Sequence, residues 1–263
     1  MVLKLILAFS AAICLLLLTI LLLGVAARGF SAVSSGLGAS FWAKWLPSHL
    51  LNTAVIAAAS AAIALPMGLC CALYLVLYSE KRAAAALKTV FSALCSIPSA
   101  VYGLFGFFLF SNLAVMRYSV AAGIITVAVM LLGTAAQSCV AALEQVDEHL
   151  AFASRALGAT ELETVKSVLL TAASKGIAFC AVLCLSKAAG ESAALIFTCG
   201  TGPANIKNGV FGYLFSSGET LAVGIYQAVL NGELPLAFAA CGFIMLLMTV
   251  FDILAWIWRG SDD

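Results

Sequence analysis

The 263-residue chain is 64% hydrophobic and only 10% charged, against about 25% charged residues in an average soluble domain. Thirteen basic and twelve acidic residues leave a formal charge of +1, so no global field gathers polyanions. With a mean hydropathy of +1.13, these figures exclude a soluble globular domain, a disordered segment and a nucleic-acid-binding module.

A helix needs about 20 apolar residues to cross the hydrocarbon core. Runs free of charge and histidine cover residues 5–27, 50–79, 89–116, 118–143 and 234–251. A sixth apolar region, about 171–198, is interrupted by Lys175, Lys187 and Glu191. The runs are continuously apolar rather than alternating, which predicts an all-α membrane protein with six transmembrane helices, not a barrel. The first run is longer than the roughly 7–15 apolar residues of a signal peptide, so residues 1–49 are expected to form a retained anchor and outer loop. Trp256 and Trp258 suit an interfacial aromatic belt. Pro66 and Pro98 are placed to kink the second and third spans.

Basic residues near the span ends set the orientation. With the N-terminus inside, Lys4, Lys81, Arg82, Lys88, Arg155, Lys166, Lys175 and Arg259 lie inside, against Arg28, Lys44, Arg117 and Lys207 outside. Eight against four predicts a multi-pass protein with both termini in the cytoplasm.

The nine cysteines include no Cys-x-x-Cys. All but Cys199 fall in the runs above, so they read as small apolar residues of a helix bundle. Cys180 and Cys184 lie one turn apart without neighbours to complete a tetrahedral metal site. There is no phosphate-binding Gly-x-x-x-x-Gly-Lys-Ser/Thr loop, no Gly-x-Ser-x-Gly elbow and no His-Glu-x-x-His. Nothing therefore points to ATP binding or hydrolysis by this chain.

Lys187 and Glu191 stand inside an apolar span. Four positions apart, they are expected to share one helix face about 6 Å apart along the axis. Each charge costs about 2.5–3.5 kcal/mol at the membrane centre on insertion scales, so both must face the bundle interior or a wet cavity. Ala188, Ala189, Gly190, Ala193 and Ala194 let a neighbouring helix or substrate approach closely. Two readings stay open: a self-neutralising pair that fixes packing, and a charged contact on a transport pathway.

The segment 144–170 differs from the spans. Leu150, Ala153, Ala156 and Leu157 recur at helical spacing, and Gly158 is expected to end that helix in a left-handed cap. Thr160 with Glu163 forms a capping-box pattern that opens a second helix. Such a helix-turn-helix is either a docking element for a soluble partner or a plain connection.

Several segments together resemble one family. The run Ala153-Ser154-Arg155-Ala-Leu157-Gly158-Ala159-Thr160, followed by Val168-Leu-Leu and Gly176-Ile177, is similar to the EAA loop of ABC importer permeases. Asn52-Thr53, Leu65-Pro-Met-Gly68, Ala72-Leu-Tyr74, Ile97-Pro-Ser-Ala-Val-Tyr-Gly-Leu-Phe-Gly106, Lys187-Ala-Ala-Gly-Glu-Ser-Ala193 and Thr220-Leu-Ala-Val-Gly-Ile-Tyr226 narrow the resemblance to phosphate-specific (Pst-type) permeases, the A subunit in particular. Phe152 stands where the family carries the EAA glutamate, Asp147 where a proline is expected, and Thr171 where Leu-Pro follows the loop. Lys187 replaces the family's arginine; a lysine meets an oxyanion as a point charge, without the two parallel bonds of a guanidinium.

The resemblance implies a type I importer permease architecture over residues 50–257, an EAA-like coupling loop at 144–177 and a cytoplasmic tail at 258–263. It implies a half-pore for inorganic phosphate in the bacterial inner membrane, completed by a second, C-type permease. Two ATPase subunits would clamp the loop through Ala153, Ser154, Arg155, Leu157, Gly158, Ala159 and Thr160 and would use the ATP; this chain would bind no cofactor of its own. An extracytoplasmic phosphate-binding protein would deliver the cargo. Lys187 and Glu191 are the expected pathway residues, with Ser99, Tyr102, Ser192 and Thr198 supplying neutral hydrogen bonds. A permease for another oxyanion, molybdate- or sulfate-like, and a membrane scaffold without transport remain alternatives.

Overall fold

The structure, a computed structural model, describes residues 2–34, 38, 41–113, 116–202 and 209–259. Lys207 and the side chains of Trp258 and Arg259 lie outside the described residues. No strand occurs among the described residues. In chain order the helices are α1 (Val2–Ser34), α2 (Leu46–Leu77), α3 (Lys81–Ser96), α4 (Ser99–Gly106), α5 (Val120–Glu144), α6 (Glu148–Ala156), α7 (Glu161–Glu163), α8 (Leu170–Ala172), α9 (Ser174–Ala189), α10 (Ala193–Thr198), α11 (Gly209–Leu214), α12 (Leu221–Leu230) and α13 (Leu234–Arg259). Wide π turns precede α2 at Phe41–Trp45, follow α4 at Phe107–Leu113 and join α7 to α8 at Thr164–Leu169.

Four stretches are long and apolar enough to cross a membrane unbroken: Ile6–Ser34, Phe41–Leu77, Val120–Glu144 and Leu234–Ile257. The second runs through Pro66 without a break. Two helix pairs reach that length and hydropathy only when taken together, Lys81–Ser96 with Ser99–Phe110, bent by 88°, and Glu161–Ala172 with Ser174–Ala189, bent by 69°. Counting each pair once gives six.

The expected third and fifth spans are therefore not straight helices. At Pro98 the ring removes an N–H and disfavours helical geometry at the residue before it. Ile97 accordingly takes φ −66°, ψ 127° and the chain turns. The limb α3 starts at Lys81, before the expected 89. It is amphipathic: Ala84, Leu87 and Phe91 rest on the core, while Lys81, Lys88, Ser92 and Ser96 stay exposed. In the expected fifth span the helix after the bend, α9, starts at Ser174, three residues later than expected, and is capped at Gly190, well short of 198.

The helix α5 forms the centre. Most of its side chains are apolar, as a helix enclosed by others requires, and Val127, Leu131, Ala135 and Cys139 are fully buried. Around it pack α2, α3, α9 and α10, with α12 and α13 outside α2 and α9. Small residues set the spacing. A Cβ on Gly68 of α2 would lie 2.6 Å from Ala135 Cβ and 2.8 Å from the Ala136 nitrogen, so the backbones touch where no side chain fits. Cys139 and Cys180 bring their sulfurs to 3.6 Å at the α5–α9 contact. The first helix stands apart, packing on α13 where Gly29 meets the Phe238 carbonyl, while Ile6, Leu7 and Leu15–Leu18 are exposed along its first half. Trp256 is exposed near the end of α13, as a belt residue would be.

Overpacking a filled contact costs about 1–3 kcal/mol. Gly68→Leu is therefore expected to lower the midpoint of thermal unfolding in detergent by several degrees, whereas Gly24→Leu, where a Cβ meets nothing within 4 Å, leaves it unchanged.

Candidate functional site

The break after α9 decides the geometry around the two intramembrane charges. Gly190 ends the helix, its N–H bonded back to Ser186 O, and Ser192 leaves the helical region with φ −123°, ψ −46°. Lys187 and Glu191 therefore do not share one continuous helix face. Glu191 instead turns onto the start of α10, where Oε1 accepts from the Ala194 N–H at 3.0 Å. A carboxylate at a helix N-terminus satisfies an orphan donor and meets the positive end of the dipole.

Lys187, in the last turn of α9, reaches the other way. Its Nζ donates to Thr134 Oγ1 at 2.9 Å, midway along α5, and the side chain is exposed. Among the described residues the ion pairs within 4.0 Å are His49–Glu219 and Lys88–Glu144, so Lys187 has no carboxylate partner there. The helix break thus corrects the expectation that Lys187 and Glu191 share one helix face, and the alternative of a self-neutralising pair has no ion pair to support it among the described residues. The ammonium stands with a neutral acceptor at an open position, the arrangement that leaves a cation able to meet an anion.

The neutral candidates separate. Ser192 and Ser99 are half-buried at the starts of α10 and α4. Tyr102 is buried and donates its hydroxyl to Leu94 O at 2.9 Å. Thr198 is fully buried and donates to Ala194 O within α10. Both hydroxyls are spent on the fold, next to the close contact where a Cβ on Gly103 would lie 2.7 Å from Ala194 Cα.

The second cluster lies at the α6–α7 end. Asp147 caps α6, accepting from the His149 N–H at 2.9 Å. Gly158 adopts φ +88°, the left-handed geometry that ends the helix, with Gly158 N bonded to Arg155 O and Ala159 N to Ser154 O. Thr160 and Glu163 form the capping box as the sequence predicts: Glu163 accepts from the Thr160 N–H and hydroxyl, and Thr160 Oγ1 accepts from the Glu163 N–H. Ser154 and Thr164 join the two helices by their hydroxyls at 3.0 Å. Tyr78, just past α2, donates to Glu161 Oε2 at 3.0 Å and ties the turn to the bundle. Along it Leu157 is 90% exposed, Leu162 75% and Phe152 61%. These open apolar side chains stand beside the exposed Ala153 and Arg155, so the turn offers a surface that a partner could cover.

Sequence reasoning missed a polar knot at the opposite, α11–α12 end. Asn52 Nδ2 donates to Glu219 O, Tyr213 donates to Asn52 Oδ1, and the Leu221 N–H donates to Thr53 Oγ1. His49, stacked on Trp45 at 4.0 Å, brings Nε2 to 3.5 Å from Glu219 Oε2. It also missed Thr134, whose place opposite Lys187 has no local signature. The one available signal was periodicity: Thr134, Gln137 and Glu144 recur on one side of a largely apolar helix.

With the geometry in hand, three comparisons place the chain among known proteins. The family model described as "Binding-protein-dependent transport system inner membrane component" matches residues 64–257. The probable ABC transporter permease protein YqgI of Bacillus subtilis is 28% identical, the alignment covering 92% of this chain and 86% of that protein. A phosphate transport system permease protein PstA homolog of Mycoplasma pneumoniae is 29% identical over 77% of this chain, which spans only 32% of that longer protein. Among solved structures, a bacterial ABC transporter involved in the import of the acidic polysaccharide alginate superposes with a TM-score of 0.71 at 15% identity, covering 99% of this chain and 96% of that one. The MetNI methionine ABC transporter in an inward-facing conformation gives 0.68 at 17% identity, covering 86% and 100%. At these identities the solved structures establish the fold alone.

Proposed function

Because the chain belongs to the binding-protein-dependent transport system inner membrane component family, we propose that it is the permease subunit of an ATP-driven importer of inorganic phosphate, with Lys187 as the pathway cation. The observation that carries this reading is the Lys187 ammonium, exposed in the span region and held by Thr134 rather than by a carboxylate. An entering oxyanion meets a positive charge that Glu191 does not occupy, because Glu191 is engaged at α10. Similarity to phosphate transport system permease proteins supports phosphate as the cargo.

In this reading a second permease completes the pore, an extracytoplasmic binding protein delivers phosphate at the α11–α12 end, and two ATPase subunits grip Leu157, Leu162 and Phe152 at the α6–α7 end. The chain sits in the bacterial cytoplasmic membrane with both termini inside, which puts Lys81, Arg82, Arg155 and Lys166 on the cytoplasmic side. Closure of the ATPases pushes on α6 and α7. The capping box and the Ser154–Thr164 bond transmit that push as one body into α8 and, past the 69° bend, into α9, which carries Lys187.

The test is radiolabelled phosphate uptake in cells lacking this gene, with and without this chain restored. Restored phosphate uptake is expected. Restored molybdate or sulfate uptake without phosphate overturns the cargo, and purification without any ATPase partner overturns the transport role.

A further inference from the structure

A cleft of about 320 Å³ opens between α3 and α5, lined by the polar Lys88, Ser92, Gln137 and Glu144 together with the apolar Phe91, Val140 and Ala141. Its position is not accidental relative to Lys187. On α5, at 100° per residue, Thr134, Gln137 and Glu144 fall within a sector of about 80°, and the rise of 1.5 Å per residue sets the first and last about 15 Å apart. Lys187 bonds Thr134 at one end of this stripe. Lys88 is ion-paired to Glu144 at the other, with side-chain exposures of 45% and 49%. The Gln137 amide and the Ser92 hydroxyl lie between. One stripe thus carries a cation at each end and neutral hydrogen-bonding groups along its length, in a chain that is only 10% charged.

We propose that this cleft is a second oxyanion station in series with Lys187, in which Lys88 receives the phosphate and Glu144 is the tethered anion it displaces. The inference rests on the import reading above. A conducting path needs several weak sites rather than one strong one. Glu144 supplies the weakness: the arriving anion must exchange for a carboxylate already in place, and on departure that carboxylate reclaims the ammonium. The pair is half-exposed, a setting in which ion pairs are weak and screened, so the exchange is cheap in both directions. Lying between Lys187 and the α6–α7 end, the station is the later one on an inward journey.

The test uses the assembled complex in proteoliposomes. Lys88→Gln is expected to reduce phosphate uptake at least tenfold while the subunit still co-purifies with its partners at wild-type yield, and Lys88→Arg to keep most of the uptake. Glu144→Gln, which leaves Lys88 unopposed, is expected to lower the half-saturating phosphate concentration severalfold. Combining Lys88→Gln with Glu144→Gln should remain as poor as Lys88→Gln alone. A pair that merely holds α3 against α5 behaves otherwise: both single variants are equally impaired, and the double variant, whose two amides can bond each other, recovers. Recovery in the double variant, or normal uptake by Lys88→Gln in a complex whose wild type imports phosphate, overturns the second station and leaves the cargo reading standing. A wild-type complex that moves no phosphate overturns the cargo reading, and this inference with it.

Discussion

Lys187→Gln is expected to cut phosphate uptake by between ten- and a hundredfold without reducing the amount of assembled complex. A hydrogen bond to a charged group contributes about 1.5–3 kcal/mol, and each 1.4 kcal/mol is a factor of ten. The loss falls on the passing anion, not on the fold. Lys187 is exposed and its bond within the chain is to the neutral Thr134 hydroxyl, which glutamine can still reach. Lys187→Arg is expected to retain transport, because a guanidinium restores both the charge and a planar grip on an oxyanion. Thr134→Val, which removes the acceptor but not the charge, should cost severalfold at most. Uptake of labelled phosphate together with complex yield in detergent checks all three. Wild-type uptake by Lys187→Gln would remove the residue from the pathway.

The same residue shows where sequence reading stops. The charges at 187 and 191 were legible as anomalies, and hydropathy located them in a span. Their relation was not. The i, i+4 expectation assumes an unbroken helix, and Gly190 ends it at a point where the following carboxylate caps the next helix. The spans that run unbroken, α1, α2, α5 and α13, match apolar runs of the sequence, and even Pro66 does not interrupt α2. The run 89–116 misled because charge content is blind to direction: it registers an apolar chain on both sides of Pro98 and not the 88° between them. The polar positions of α3, Lys81, Lys88, Ser92 and Ser96, did hold the signal of a one-sided helix.

Local patterns carried through where the physics is local. The Thr160–Glu163 box and the Gly158 cap each depend on residues within five positions of one another, and both formed as the sequence predicts. Asn52 with Tyr213 and Glu219, separated by more than 160 residues, depends on how helices are packed, and no spacing in a single chain encodes that.

Gly158 is the other position from which a large effect is expected. Its φ of +88° lies where an L-residue is strained by about 1–3 kcal/mol, and a β-branched side chain most of all. Gly158→Val has space around it, since a Cβ there meets nothing within 4 Å, so the strain acts on the backbone alone. Relieving it means unwinding the end of α6 and pulling Ala159 N from Ser154 O. That separates α6 from the Thr160 cap and breaks the rigid link to α9. The expected result is a complex that still assembles and hydrolyses ATP but imports several times less phosphate per ATP. Leu157→Asp probes the same turn differently. Leu157 is 90% exposed and packs on almost nothing in this chain, so its replacement should leave the unfolding midpoint of the isolated subunit unchanged. What it removes is an apolar anchor for the partner, and burying an unpaired carboxylate in that contact is costly. Co-purification of the ATPase should therefore fall at least tenfold. Loss of coupling with retained assembly at 158, and loss of assembly with retained stability at 157, would together locate the transmission in the turn and the grip in the side chain beside it. Equal effects on both readouts from both variants would mean that the turn serves only to connect two helices.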